Sequence, residues 1–132
     1  MKTRTTSSML IALLLAFLAL GVTKAQAIVI LDGRPVGITF GQTARVTSAN
    51  TGTTAIIING VFLDSEGTVL AQFDRQVIEP GKMMSFDFVW GESNRIQIRV
   101  VISGDTLRGL LTSTEVFEND TGKTTVFVAV GK

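Results

Sequence analysis

Apolar and polar residues alternate along two stretches of the chain. From Met84 to Trp90 every second residue is large and apolar, and Arg95 to Ile102 repeats the pattern with Arg95, Gln97 and Arg99 among the alternate positions. A period of two places the apolar side chains on one face of a β-strand. The pattern therefore predicts two half-buried strands whose inner faces define the core.

The stretch Ala55 to Phe73 predicts a β-hairpin at the centre of the fold. Two runs rich in Ile, Val, Leu and Phe flank Asp64-Ser65-Glu66-Gly67. Asp suits the first position of a type I turn and Gly the fourth, and such loops commonly join antiparallel strands. The first run, Ile56 to Leu63, has no clean polar face, which predicts a strand in the middle of a sheet and covered on both sides.

The remaining segments extend the all-β prediction. A second hairpin is expected from Gly109–Phe117 and Thr124–Val130, joined by the polar loop Glu118–Lys123. Turn signals recur at intervals of about 8 to 12 residues, and no helical period occurs after the first 27 residues. The chain is therefore expected to fold as an immunoglobulin-like antiparallel β-sandwich of about seven to nine strands.

The first 27 residues have the composition of an export signal. Lys2 and Arg4 precede the apolar run Met9–Val22, and Ala25-Gln26-Ala27 supplies small residues for cleavage. An uncleaved anchor is the alternative, although 14 apolar residues fall short of the roughly 20 that a membrane-spanning helix needs. We predict a signal peptide at 1–27, a single domain at 28–132, and a periplasmic or extracellular location.

Loss of the signal would change the charge. The full chain carries +1, but removal of Lys2, Arg4 and Lys24 leaves nine basic against eleven acidic residues. A weakly acidic domain argues against nucleic acid or an anionic membrane as partner. The chain has no cysteine, so the exported domain must be stable without disulfides and no lipid can be attached through a cysteine.

Four strings carry a resemblance to known proteins: GQTARVTSANTG (Gly41–Gly52), FLDSEGTVLA (Phe62–Ala71), EPGKMMSFDF (Glu79–Phe88) and EVFENDTGKTTV (Glu115–Val126). They resemble a family of small, exported bacterial proteins of uncharacterised function, and more loosely the immunoglobulin-like modules of bacterial surface proteins. The resemblance rests on turn motifs. It implies the fold and the compartment, and it transfers no catalytic residue.

Composition narrows the possible chemistry. Without His or Cys, the usual nucleophile–base pairs and the common zinc sites are unavailable, and no phosphate-binding glycine motif occurs. No cofactor is expected, and we predict a non-enzymatic binding, adhesion or structural module, with protein or a cell-envelope component as the partner. The alternatives are an enzyme inhibitor acting through the loop Ser103–Arg108 and a hydrolase that uses two carboxylates. The candidate carboxylates are Asp64, Glu66, Asp87, Glu115, Glu118 and Asp120.

Four of these carboxylates also suggest a calcium site. Asp64 and Glu66 lie in one predicted turn and Glu118 and Asp120 in another, where hard oxygen donors could meet a cation. The alternative interpretation is that Asp stabilises each turn by accepting hydrogen bonds from nearby backbone N–H groups.

Two further features are candidates for contact with a partner. Arg95, Gln97 and Arg99 form a polar stripe on the outward face of a predicted strand, which could bind an acidic protein or simply keep the sheet soluble. Trp90 could stack on a sugar, or it could lie at the edge of the core as the last member of its alternating series.

The predicted new amino terminus is the last candidate. Ile28, Val29, Ile30 and Leu31 form a short apolar strand that ends at Asp32-Gly33-Arg34-Pro35. Such a strand can pair within its own sandwich or complete the sheet of a second molecule. The chain is accordingly expected to be a monomer or a strand-exchanged oligomer.

Overall fold

The computed structural model describes residues 28–131, which form nine β-strands and no helix. The strands are β1 (Val29–Asp32), β2 (Val36–Ile38), β3 (Gln42–Asn50), β4 (Ile56–Asp64), β5 (Val69–Ile78), β6 (Met83–Val89), β7 (Ile96–Gly104), β8 (Leu110–Glu118) and β9 (Thr124–Gly131). The predicted signal peptide lies outside the described residues.

The strands form two antiparallel sheets. In the first sheet β7 lies between β4 and an edge made of β1 and β2, and β5 completes the other edge. In the second sheet the order is β6-β3-β8-β9. Side chains from the two inner faces meet in a single core, so the predicted β-sandwich is confirmed.

The central pairings match those of an immunoglobulin domain. There, strand B pairs with E in one sheet and C pairs with F in the other. Here the strands in the corresponding chain order, β3 with β6 and β4 with β7, pair in the same way. The strands beside these central pairs differ from those of an immunoglobulin domain. β1 and β2 pair with the edge of β7 that does not contact β4, and β8, followed by β9, pairs with the edge of β3 that does not contact β6.

The two alternating stretches contribute to the core from opposite sheets. Ile98, Val100 and Ile102 of β7 are buried, whereas Phe86 and Phe88 are only half-buried because β6 is an edge strand. Aromatic contacts join the layers, with Phe88 5.6 Å from Phe62 and Phe86 3.8 Å from Phe73 between ring centroids. Such contacts add to the stabilisation that apolar burial provides.

The predicted central hairpin is present, since β4 and β5 pair across the turn at Asp64–Gly67 and β4 lies inside its sheet. Gly67 has a φ of +83°, which its missing β-carbon permits, and its N–H donates to the Asp64 carbonyl over 3.2 Å. The prediction that β4 is covered on both sides is wrong. Its outward residues remain partly accessible, with Ile57 42% exposed, because no layer lies over that face in the described chain.

A buried asparagine organises one end of the sandwich. Asn50 is 1% exposed, and its side-chain amide donates to the carbonyls of Thr54 and Ile78, each over 2.8 Å. Its Oδ1 accepts from the N–H of Gly52 over 2.9 Å. The Asn50 side chain thus makes three hydrogen bonds, two to the connection between β3 and β4 and one to the end of β5.

Candidate binding surface

Outward-facing polar residues of β7 form the centre of the candidate surface. Gln97 and Arg99 flank the buried Ile98 and so lie on the opposite face of the strand. Arg95 precedes the strand, and its guanidinium lies over Gly37 of β2, where a β-carbon would come within 2.4 Å of Nη2. The structure therefore brings Arg95, Gln97 and Arg99 to the outer face of the first sheet.

Arg99 is oriented by Asp32 of β1. Its Nη1 donates to Oδ2 of Asp32 over 2.7 Å, and the two side chains are 39% and 52% exposed. An ion pair as exposed as this contributes about 0 to 1 kcal/mol because water screens it. Since Asp32 accepts from only one guanidinium nitrogen, further N–H donors stay available to a partner's carboxylate.

A depression of about 430 Å³ lies beside Arg99. Residues from three neighbouring segments line it: Pro35, Asp64, Ser65, Gln97, Ile98 and Arg99. It forms where Pro35 interrupts the β1–β2 edge and the turn after β4 begins. Its volume lies within the range of ordinary ligand sites.

The carboxylate of Asp64 at this depression is engaged by its own turn. Its Oδ1 accepts from the backbone N–H groups of Thr68 over 2.8 Å and Glu66 over 2.9 Å. The hydrogen bond from Thr68, more than any other contact, lowers the pKa of Asp64. A general acid requires a raised pKa, so the geometry is that of a turn-stabilising carboxylate.

Apolar side chains border the stripe on the same outer face. Leu63 lies opposite Arg99 in the sheet on one side and opposite the exposed Val69 on the other. Val61 and Val101 also face each other across β4 and β7 and are half-buried. Arginine combined with accessible apolar surface is typical of protein interfaces.

Trp90 lies apart from this arrangement. It is half-buried and packs against the core, with its ring centroid 6.2 Å from that of Phe88. Its Nε1 donates to the carbonyl of Asn94 over 2.6 Å. These contacts agree with the interpretation that Trp90 lies at the edge of the core.

The strand at the predicted amino terminus pairs within its own sandwich. Residues Val29–Asp32 align antiparallel with Val101–Gly104 of β7. Leu31 is buried and Val29 half-buried, whereas Ile28 and Ile30 are exposed. The strand therefore contributes one apolar face to the core and presents the other outward beside the Arg99 stripe.

The candidate calcium ligands fall into two separate turns. Asp64 ends β4 and Glu66 follows it in the turn to β5, while Glu118 ends β8 and Asp120 follows it in the turn to β9. Glu118 accepts from Nε2 of Gln42 over 3.1 Å. Within residues 28–131, no three acidic side chains converge as a metal site would require.

Two other candidate carboxylates lie on the outer face of the second sheet. Arg45 donates from Nε and Nη2 to the two oxygens of Asp87, over 2.7 and 2.8 Å, and its guanidinium carbon lies 5.0 Å from the ring centroid of Phe117. These hydrogen bonds lower the pKa of Asp87 and raise that of Arg45. Glu115 lies opposite Arg45 on the other neighbouring strand, so a guanidinium lies between the two carboxylates.

Comparisons with family models, with curated proteins and with solved structures gave no match. A helix capable of crossing a bilayer is not found in the part of the chain that the structure describes.

Sequence reasoning missed a second cavity, of about 530 Å³, at the opposite end of β4 and β7. The connection β3–β4 and the connection β7–β8 line it together, through Gly52, Thr53, Thr54, Thr106, Arg108 and Gly109. The residues Thr51-Gly52-Thr53-Thr54 are a recognisable hydroxyl-rich run, but the sequence does not show that Arg108 lies beside it. The predicted inhibitory loop, Ser103–Arg108, is instead short and anchored by Leu107, which is 2% exposed.

Proposed function

We propose that the protein is a non-enzymatic binding module, exported to the cell envelope or beyond it, that docks an acidic protein partner on the outer face of its first sheet. The observation that carries the proposal is the juxtaposition of Arg95, Gln97 and Arg99 with a 430 Å³ depression and accessible apolar side chains. Arginine supplies directed donors for carboxylates, and the apolar neighbours supply the area that an interface must bury.

Charge complementarity selects an acidic partner. Arg95, Arg34 and Arg99 lie on or beside the edge formed by β1, β2 and the first half of β7. The described residues form two ion pairs, and of these three arginines only Arg99 takes part in one. The guanidinium groups of Arg34 and Arg95 therefore have no ion-pair partner among residues 28–131 at this edge. Their positive charge favours binding of a protein surface that carries carboxylates and raises its rate of association.

Site-directed photo-crosslinking in the exporting cell tests the proposal. A photoreactive residue replaces Gln97, and a matched one replaces Ser85, which lies on the outer face of the second sheet opposite Thr47. We expect a discrete protein adduct from position 97 and none from position 85. Mass spectrometry of the adduct should identify an acidic protein surface.

A charge-reversal variant makes the test specific. Arg95→Glu with Arg99→Glu should abolish the adduct at position 97, because both directed donors become repulsive. Arg75→Glu on β5, an exposed arginine outside the stripe, serves as the control and should preserve the adduct. Equal labelling from both faces, or an adduct that survives the double reversal, would refute the proposal.

A further inference from the structure

The second cavity, at the end of the sandwich opposite the Arg99 depression, has the chemistry of a small-ligand site. Its volume is about 530 Å³, and three threonines, two glycines and Arg108 line it. We infer that it binds the oxyanion group, a carboxylate or a phosphate, of a small polar ligand such as an anionic sugar.

Hydrogen bonds of Asn50 and Thr51 hold the walls of the cavity in place. Asn50 fixes the β3–β4 connection through the Thr54 carbonyl and the Gly52 N–H. Thr51 then ties that connection to the β7–β8 connection, because its N–H and its hydroxyl both donate to the Gly109 carbonyl over 2.8 Å. A site that is already ordered loses little entropy when a ligand binds.

Glycine allows the two connections to approach closely. Gly109 has a φ of +83°, and a β-carbon there would lie 2.9 Å from the backbone nitrogen of Gly52. Leu107, which is 2% exposed, anchors the β7–β8 connection in the core from the other side. Arg108 is therefore exposed on a short segment whose two neighbours are both fixed.

The lining chemistry selects the class of ligand. Hydroxyl groups and a guanidinium donate hydrogen bonds to oxygen atoms, and Arg108 takes part in neither of the two ion pairs formed within residues 28–131. No carboxylate lines the cavity to repel an anion, and no aromatic ring lines it to stack on a neutral sugar. These features favour an anionic, oxygen-rich ligand over an apolar or cationic one.

This site is independent of the proposed protein-docking surface. Arg108 follows the end of β7, whereas Arg95 precedes its start and Arg99 lies in its first half. Loss of one activity therefore leaves the other measurable.

Titration of the purified protein followed by amide chemical shifts tests the inference. The probes are glucuronate, glucose 6-phosphate, inorganic phosphate and neutral glucose. We expect saturable shifts at Gly52, Arg108 and Gly109 with the two anionic sugars, weaker binding of inorganic phosphate, and none with glucose. The affinities for glucuronate and glucose 6-phosphate, compared with each other, show whether the site prefers a carboxylate or a phosphate.

Variants assign the binding to this cavity. Arg108→Gln should weaken binding of the anionic sugars at least about tenfold, the usual effect of losing a charge-assisted hydrogen bond. Thr53→Val should cause a smaller loss, and Arg75→Gln, an exposed arginine on β5 outside both sites, should cause none. The absence of saturable shifts with either anionic sugar, equal binding of glucose, or unchanged affinity in Arg108→Gln would each overturn the inference. Thermal melts of the variants confirm that each is folded.

Discussion

The ring of Phe73 occupies the space that a side chain at position 60 would need. A β-carbon on Gly60 would lie 2.1 Å from Cζ of that ring. The same ring stacks on Phe86 of the other sheet at 3.8 Å, with an angle of 4° between the ring planes. A break in the β4–β5 register between Ile58 and Gly60 accompanies this contact. The absent side chain at Gly60 therefore permits an aromatic contact that joins the two layers.

Gly60→Ala should destabilise the domain by about 1 to 3 kcal/mol, because the new methyl group must displace a packed ring. Urea unfolding followed by fluorescence measures the change. Gly91→Ala is the control, since a β-carbon there meets no atom within 4 Å. If both variants lose the same stability, the contact between Gly60 and Phe73 does not constrain the fold.

Asn50→Asp should be strongly destabilising although it preserves the shape of the side chain. The amide donates to two carbonyls, and replacing it with a carboxylate oxygen places like partial charges together in a buried site. We expect a loss of about 3 kcal/mol or more in the free energy of unfolding at neutral pH.

Asn94→Asp introduces the same charge at an exposed position and is the matched control. Its effect should be within about 0.5 kcal/mol of zero. A small effect at position 50 would mean that the connection between β3 and β4 is not organised by the Asn50 side chain.

Local patterns were sufficient to predict the strands but not their partners. The alternation from Met84 to Trp90 and the turn at Asp64–Gly67 depend on neighbouring residues, so both could be read from the sequence. That β6 is an edge strand while β7 is central depends on pairing between distant segments. For the same reason, the sequence predicted an outward position for Arg99 but not its pairing with Asp32.

The sequence was least informative where two connections meet. Thr53 and Arg108 line one cavity although they are distant along the chain, and they meet because β4 pairs with β7 and β3 pairs with β8. Threonine and glycine are common in every turn, so no local signal distinguishes these residues. The exposed outer face of β4 was also misread, because a run of apolar residues does not show whether a second layer covers it.

Two carboxylates should make the domain sensitive to acid. Hydrogen bonds from Arg45 lower the pKa of Asp87, and the backbone N–H of Thr68 lowers that of Asp64. Both groups therefore stabilise the fold fully above the unfolded-state pKa of about 4, and this stabilisation is lost as pH falls through the lower folded-state values.

The free energy of unfolding should accordingly fall as the pH is lowered below about 4. In the double variant Asp64→Asn with Asp87→Asn, stability at neutral pH should be lower and the decrease in acid smaller. Urea unfolding at a series of pH values measures both slopes. Asp74→Asn with Glu92→Gln, two exposed residues, controls for the change in net charge. If the free energy of unfolding falls equally with pH in the wild type and the double variant, Asp64 and Asp87 are not the source of the acid sensitivity.

The two faces of β1 should respond differently to truncation. Leu31 is 6% exposed, whereas Ile30 on the opposite face is 58% exposed. Leu31→Ala should cost about 2 to 4 kcal/mol because it leaves a cavity between the sheets. Ile30→Ala on the same strand should stay within about 0.5 kcal/mol of the wild type, and urea unfolding compares the two.

Deletion of Ile28–Leu31 distinguishes pairing within one molecule from strand exchange. β1 pairs with β7 of its own chain. We therefore expect the intact protein to be a monomer, and we expect the deletion to uncover Ile102 on the inner face and to unfold that monomer. Light scattering reports the mass and circular dichroism reports the fold. If the intact protein is an oligomer, and the deletion converts it into a folded monomer, then the strand is exchanged between molecules and the intramolecular pairing is wrong for the protein in solution.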